Sequence, residues 1–345
     1  MKTFILSFLF LVTFVVSCQH DGIDALESKV NPVDVYVAGI ENNKACYWKN
    51  NQQTYLSSGD DITPTDIFLD NNNIYIIGYG QNDYFKEYFW KNNIRYSFRQ
   101  YLNVPSNVYL RIADFTVVNN DIYFCGIIEN PSPATPNEKY EYCYWKNGVK
   151  TILNTTADIT FGYINNIISM SIYNSQVYTT GRKIINNVPY EGYYEGTTFH
   201  PIITIEDEYY DSIGNLTSNA NNLYIAIRKN TVVYYRNLLT GVDTQPNQTI
   251  PSSLLPLIRL DGNDLYLLQY QSYFKNGNYY SINIDPQFEL CYDMFILDQN
   301  IYSVRAVDSQ NRGGKIYINN VETFYLPHAP QGTKQILKAI FAVQN

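Results

Sequence analysis

The chain has 345 residues, 45% of them hydrophobic and 16% aromatic, with 34 tyrosines and a formal charge of −8. The hydrophobic share suits a large core, and the aromatic excess favours strands, where rings fit a pleated, half-buried surface. The 24 Lys and Arg form no concentrated basic stretch of the kind a phosphate-backbone binder needs, so nucleic acid is excluded as an expected partner.

At the amino terminus Lys2 precedes an apolar run from Phe4 to Val16. That run is shorter than the roughly 20 residues needed to cross a bilayer, but it suits the hydrophobic region of a secretory signal. "VVSC" follows at Val15 to Cys18, and a small residue directly before Cys resembles the lipobox of bacterial lipoproteins. The resemblance implies cleavage after residue 17 and lipidation of Cys18, with diacylglyceryl and amide-linked chains together giving a stable anchor. An ordinary cleaved signal with an incidental Cys is the other reading. Residues 18–33, containing "QHDGIDALESKVNP", are polar enough to be a tether, and residues 34–345 are left for the folded domain. The expected address is the cell envelope, on the bacterial outer membrane, facing the periplasm or the outside.

The remaining cysteines are Cys46, Cys125, Cys143 and Cys291. Four thiols in a chain this long are not a disulfide framework. Cys125 and Cys143 fall on adjacent expected strands, where they are either a bridge or, the favoured expectation, small buried free thiols.

From residue 34 onward one phrase recurs: "DVYVAG" from Asp34, "NIYIIG" from Asn73, "DIYFCG" from Asp121, "QVYTTG" from Gln176, "NLYIAI" from Asn222, "DLYLLQ" from Asp264 and "NIYSVR" from Asn300. The average spacing is roughly 45 residues, the period of a four-stranded propeller blade. A second phrase keeps step with it: "CYWKNN" from Cys46, "YFWKNN" from Tyr88 and "CYWKNG" from Cys143 carry all three tryptophans. The second copy divides into strands at 66–70, 74–80, 87–92 and 94–98, joined by Asn-rich turns whose residues tolerate positive backbone angles. Trp48, Trp90 and Trp145 are expected to pack between neighbouring blades.

The fold class expected is therefore all-β, a single propeller of about seven four-stranded blades. Its first copy lacks an inner strand. Setting "IFAVQN" of Ile340 to Asn345 before "DVYVAG" reproduces "FTVVNN-DIYFCG" from Phe115 without a gap, so the carboxy-terminal strand is expected to complete the first blade and close the ring. In that alignment Ile340 matches Ile67, Phe115, Met170, Leu216, Ile258 and Met294, all expected to be buried.

These phrases resemble those of the repeat-rich β-propeller lipoproteins of Bacteroidota, whose blades pair an "xVYVAG"-like strand with a "YWKNG"-like one. The resemblance spans nearly the whole mature chain and implies a scaffold, without a catalytic motif. Copies four to seven depart from it: "YYEGTT" from Tyr193 replaces the Trp-Lys-Asn phrase, and "SYFKNGNYY" from Ser272 keeps only part.

First-to-second and third-to-fourth turns read as short, and the other two kinds as long and irregular, including Ile127 to Lys139, Thr204 to Asn215 and Val242 to Ser253. All the long loops belong to one face, which is the candidate functional surface. Asp66, Asp114 and Asp293 occupy one repeated place at the start of the inner strand, with Ser169 and Asn215 in two other blades. They read either as oxygen ligands for a hard cation such as Ca²⁺ or as acceptors for nearby backbone N–H groups. Glu206, Asp207, Glu208 and Asp211 with Tyr209 and Tyr210 read as a cation- or sugar-binding loop or as a solvated charge run.

Only His20, His200 and His328 are available, and no Walker loop, Gly-x-Ser-x-Gly elbow or His-Glu-x-x-His is present. The expectation is a monomeric, membrane-tethered, non-enzymatic binding propeller without a cofactor and with a glycan or protein partner. A carbohydrate-active hydrolase or lyase using channel-mouth carboxylates is the alternative.

Overall fold

The computed structural model describes residues 32–80, 87–157, 168–205, 211–230, 232–247, 257–269, 272–282, 285–307 and 313–345. Val35–Val343 form one compact unit. Among the described residues the strands make seven four-stranded antiparallel sheets, the blades of a β-propeller. Blade 1 orders Ile336–Gln344, Val33–Glu41, Lys44–Lys49 and Gln52–Asp60. Blades 2 to 7 follow in chain order, with inner strands Ile62–Asp70, Leu110–Val118, Met170–Tyr173, Ser212–Ser218, Leu257–Asp261 and Leu290–Leu297. Inner strands of successive blades neighbour one another around the centre.

The hairpins form because their turn residues accept the left-handed region. Asn92 and Asn93 stand at φ 49° and 65°, Asn119 and Asn120 at 54° and 67°, and Asn319 and Asn320 at 48° and 68°. Positive φ at both central positions gives the turn whose twist matches that of paired strands.

The two recurring phrases prove to be one cross-strand unit. Asn92 Oδ1 accepts the Ile74 N–H at 2.9 Å while its Nδ2 donates to Asn73 Oδ1 at 2.7 Å. Asn147 does the same with Ile122 and Asp121, at 2.8 and 2.7 Å. Blades 6 and 7 keep this link without a tryptophan, through Asn276 to Leu265 and Asp264 and through Asn319 to Ile301 and Asn300. The Lys of the phrase lies over the Tyr of its partner strand, with Lys49, Lys91 and Lys146 each 5.3 Å from the ring centres of Tyr36, Tyr75 and Tyr123. The Trp turns to the other side of the strand, towards the preceding blade. Trp90 is fully buried among Tyr36, Ala45 and Leu56 of blade 1 and donates Nε1–H to the Ser57 carbonyl at 2.9 Å. Trp145 packs with Tyr75, Phe89 and Phe98 of blade 2, and Trp48 faces Phe324 of blade 7.

Ring closure follows the expected register. A Cβ on Gly126 would run into the Arg111 carbonyl of the inner strand, and a Cβ on Gly39 into that of Ile336, so the carboxy-terminal strand meets blade 1 as Leu110–Val118 meets blade 3. Ile340 and Ala342 are each 2% exposed.

Three expectations need correction. The inner strand of blade 2 begins at Ile62 rather than Asp66, because a bulge between Pro64 and Asp66 interrupts the pairing without ending it. Matching bulges precede Asp114 and Asp293, so these aspartates lie within their strands. Second-to-third connections are not uniformly long: blades 1 and 4 make them with the two-residue turns Asn42–Asn43 and Asn186–Asn187. A short helical turn at Phe98–Tyr101, unforeseen in the sequence, buries Phe98 against Phe124 with ring centres 4.9 Å apart.

Cys46, Cys125, Cys143 and Cys291 are free and buried. Cys143 opposes Gly126 and Cys125 opposes Tyr144, an offset of one residue that sends the two thiols to opposite faces of the sheet and forbids a bridge. Burial pushes the Cys46 and Cys291 thiols up to about 12, so neither supplies a thiolate at neutral pH.

Candidate functional site

A repeated set of polar side chains stands at one place of the inner strands, and all of them but Asp66 bond to backbone of the next blade. Asp114 Oδ1 accepts the N–H of Phe115 and Oδ2 that of Met170 in blade 4, both at 2.7 Å. Ser169 Oγ accepts the Leu216 N–H of blade 5 at 3.2 Å. Asn215 accepts the Ile258 N–H of blade 6 at 2.8 Å and donates to the Ile258 carbonyl at 2.9 Å. Asp293 accepts Met294 N–H at 2.8 Å and, in blade 1, Ile340 N–H at 3.0 Å. Asp66 accepts the Ile67 N–H at 2.8 Å. The polar series is interrupted by Leu257 in blade 6 and Ala339 in blade 1, residues that cannot accept a bond.

Arg259, two residues beyond Leu257, supplies the positive charge of this ring. Its Nη2 lies 4.0 Å from Asp293 Oδ1, and its field lowers the carboxyls of Asp66, Asp114 and Asp293 alike. Burial dominates all the same. It holds Asp66 well above the ordinary carboxylate range, with Asp293 and Asp114 adding repulsion, it pushes Asp114 up to about 6 against its hydrogen bonds, and it raises Asp293.

A pH dependence follows for Asp114. The folded protein holds this proton more tightly than the unfolded chain, so folding is favoured at low pH and loses that advantage as pH rises from 3.8 through about 6. The melting temperature of the wild type, compared with Asp114→Asn across pH 4 to 7, is expected to fall over that window and level off above it. A difference independent of pH would show that the Asp114 carboxyl titrates normally.

Aromatic rings line one side of the same ring of strands. Phe295 and Phe341 stand with centres 4.5 Å apart, and Phe341 and Phe68 6.1 Å apart. The corresponding places in blades 3 to 5 are the hydroxyl-bearing Thr116, Ser171 and Thr217.

The other candidate cluster comes together only in part. Glu206, Asp207, Glu208, Tyr209 and Tyr210 lie outside the described residues. Asp211 is 1% exposed and accepts the Asn230 N–H at 3.0 Å, so it belongs to the blade interior rather than to a solvated charge run. Among the described residues no three His, Cys, Asp or Glu side chains come together as a metal-binding group.

No protein-family model matches the chain. No curated protein matches it in sequence. Solved structures it is similar to include a chain of the nidogen/laminin complex, 10% identical, covering 90% of this chain and 98% of that one with a TM-score of 0.40. Another is the puromycin-hydrolyzing peptidase of Mycobacterium tuberculosis, 9% identical, covering 88% of this chain and 53% of that one with a TM-score of 0.48. A third is apo AztD of Citrobacter koseri, 9% identical, covering 89% and 86% with a TM-score of 0.42. At such identities the likeness is one of fold, and nothing about individual residues carries over.

The aspartates are legible in the sequence as a repeated position, and Arg259 is not. The available signal was a cation two residues after the blade position where the polar series breaks at Leu257.

Proposed function

We propose that the protein is an extracytoplasmic lipoprotein whose propeller is a non-enzymatic binding module, with a glycan or a protein as partner. The observation that carries the binding reading is the commitment of the carboxylates. Asp114 and Asp293 each give both oxygens to backbone N–H groups, leaving Asp66 with one spare among the described residues. Glycoside hydrolysis asks for two carboxyl groups free to act on the scissile bond and its water or nucleophile. Ca²⁺ at this ring would compete with the backbone donors and with Arg259 for the same carboxylates.

The anchoring reading rests on the apolar run from Phe4 to Val16 and on Ser17 before Cys18. It assigns residues 1–17 to a signal peptide, 18–33 to a tether and 34–345 to the propeller domain. Among the described residues no helix is long and apolar enough to cross a membrane, so on this reading attachment runs through the lipid on Cys18.

The test is a glycan panel titrated against the mature domain with binding and product release recorded together, alongside Cys18→Ser. Saturable binding without product supports the module, and turnover overturns it in favour of a carbohydrate-active enzyme. Cys18→Ser is expected to release the protein from the membrane fraction and remove the acyl mass. An unchanged mass and location would overturn the anchor.

A further inference from the structure

Lys338, on the candidate face, has no ion-pair partner among the described residues. Lys338 lies on the inner strand of blade 1 directly before Ala339, and Tyr292 on that of blade 7 directly before Asp293, each one step nearer the long-loop face than the polar ring. Lys338 Nζ rests 3.7 Å from the centre of the Tyr292 ring. Lys338 is part-buried. Two other part-buried lysines are matched, Lys275 by Asp264 at 2.7 Å, and Lys315 by Asp285 at 2.9 Å and Glu322 at 2.8 Å.

The titratable groups on the elements packed around Lys338 are engaged elsewhere. On the inner strand of blade 7, Asp293 is turned to the Ile340 N–H and Arg259. On the paired strand of blade 1, Glu41 is held by Gln53 and Tyr55, and Tyr36 lies under Lys49. On the inner strand of blade 2, Asp66 caps Ile67 and Asp70 caps Asn119 and Asn120 of blade 3. Burial alone pushes the Lys338 ammonium down to about 8. A desolvated ammonium without a counter-ion is stabilised by whatever anion reaches it, and a charge-assisted hydrogen bond is the strongest way to do so. The two strands carrying Lys338 and Tyr292 also carry, three residues further on, Phe341 and Phe295, with ring centres 4.5 Å apart.

We infer that Lys338 and Tyr292 form an anion subsite at the channel mouth whose ligand is an acidic saccharide, bound through a uronate carboxylate. The inference rests on the glycan branch of the proposed function. The aromatic surface is what favours a sugar over an acidic peptide, since carbohydrate C–H faces pack on rings while a peptide carboxylate needs only the ammonium. The anion binds the protonated lysine, so it raises the Lys338 pKa. Binding near pH 8 to 9 therefore takes up a proton, and affinity declines as pH rises past the free value of about 8.

The experiment is calorimetric titration of the intact protein with a galacturonate trisaccharide and with its methyl ester. Titrations at pH 7 are paired with others at pH 8.5 in buffers of different ionisation enthalpy. The acid is expected to bind about tenfold or more tighter than the ester, with proton uptake at pH 8.5. Lys338→Gln should bring the acid to the level of the ester and abolish the uptake, while Lys338→Arg keeps the preference and shows that the fold is intact. Equal binding of acid and ester, or a preference that survives Lys338→Gln, overturns the subsite while leaving a glycan-binding propeller standing. A poly-glutamate peptide that outcompetes the uronate overturns the saccharide assignment in favour of a protein partner. Failure of every glycan, charged or neutral, overturns this inference together with the glycan branch it rests on.

Discussion

Replacing Ile340 by Asp is expected to open the propeller. Ile340 is 2% exposed, its N–H is held by Asp293 across the blade boundary at 3.0 Å, and its strand is the inner strand of blade 1. Losing a buried Ile costs about 1.5 to 3 kcal/mol, and an unpaired carboxylate in its place adds several more in desolvation. A domain of ordinary stability has about 5 to 15 kcal/mol in total, so the variant stands close to the unfolding threshold. Deleting residues 336–345 removes the whole strand and exposes the edge of Val33–Glu41 as well as the flank of blade 7, with at least as large an effect. Ile340→Val, which keeps the shape and the backbone bond, should cost only about 0.5 to 1.5 kcal/mol. Urea unfolding followed by circular dichroism reads all three. A deletion variant that unfolds cooperatively at the parent midpoint would mean that the ring is not closed by this strand.

The second large effect is expected at Trp90. Its side chain is fully buried between blades 1 and 2 and ties the Ser57 carbonyl at 2.9 Å. Truncating a fully buried Trp to Ala costs about 3 to 5 kcal/mol through lost burial and the cavity left behind. The lost hydrogen bond to the Ser57 carbonyl adds about 0.5 to 1.5 kcal/mol. Trp90→Phe restores part of the volume without the donor, so it should fall between the parent and Trp90→Ala. Hydrogen exchange should report the loss in the strands of blades 1 and 2 first, because Trp90 touches both. A cost below about 1 kcal/mol would show that the two blades do not depend on the ring between them.

The Trp-Lys-Asn phrase shows how far the linear chain reaches. Its coincidence with the Asn/Asp-x-Tyr phrase is readable as two strands of one blade, since a side-chain period of two and a two-residue Asn turn are local properties. The reason for the coincidence, an Asn clamping the start of the partner strand and a Lys lying over its Tyr, required the register. Blades 6 and 7 look degenerate as strings because the Trp is missing, yet Asn276 and Asn319 keep the clamp.

By itself the sequence determined the all-β class, the number of blades and the register in which residues 340–345 return to the first of them. Each follows from repetition, and a repeat that cannot cover its own apolar faces must stack on its neighbours. Only the tertiary structure decided what the repeated aspartates do. A carboxylate at a bulge is poised equally for a cation or for an N–H, and the choice fell to the next inner strand, which places Met170 N–H against Asp114 and Ile340 N–H against Asp293. It also decided that Arg259 serves three carboxylates from other blades and that Lys338 faces an aromatic ring with no anion among the described residues. Those partners come from separate repeats and meet only around the axis, where the angle between blades sets which side chains converge. No spacing along the chain encodes that angle.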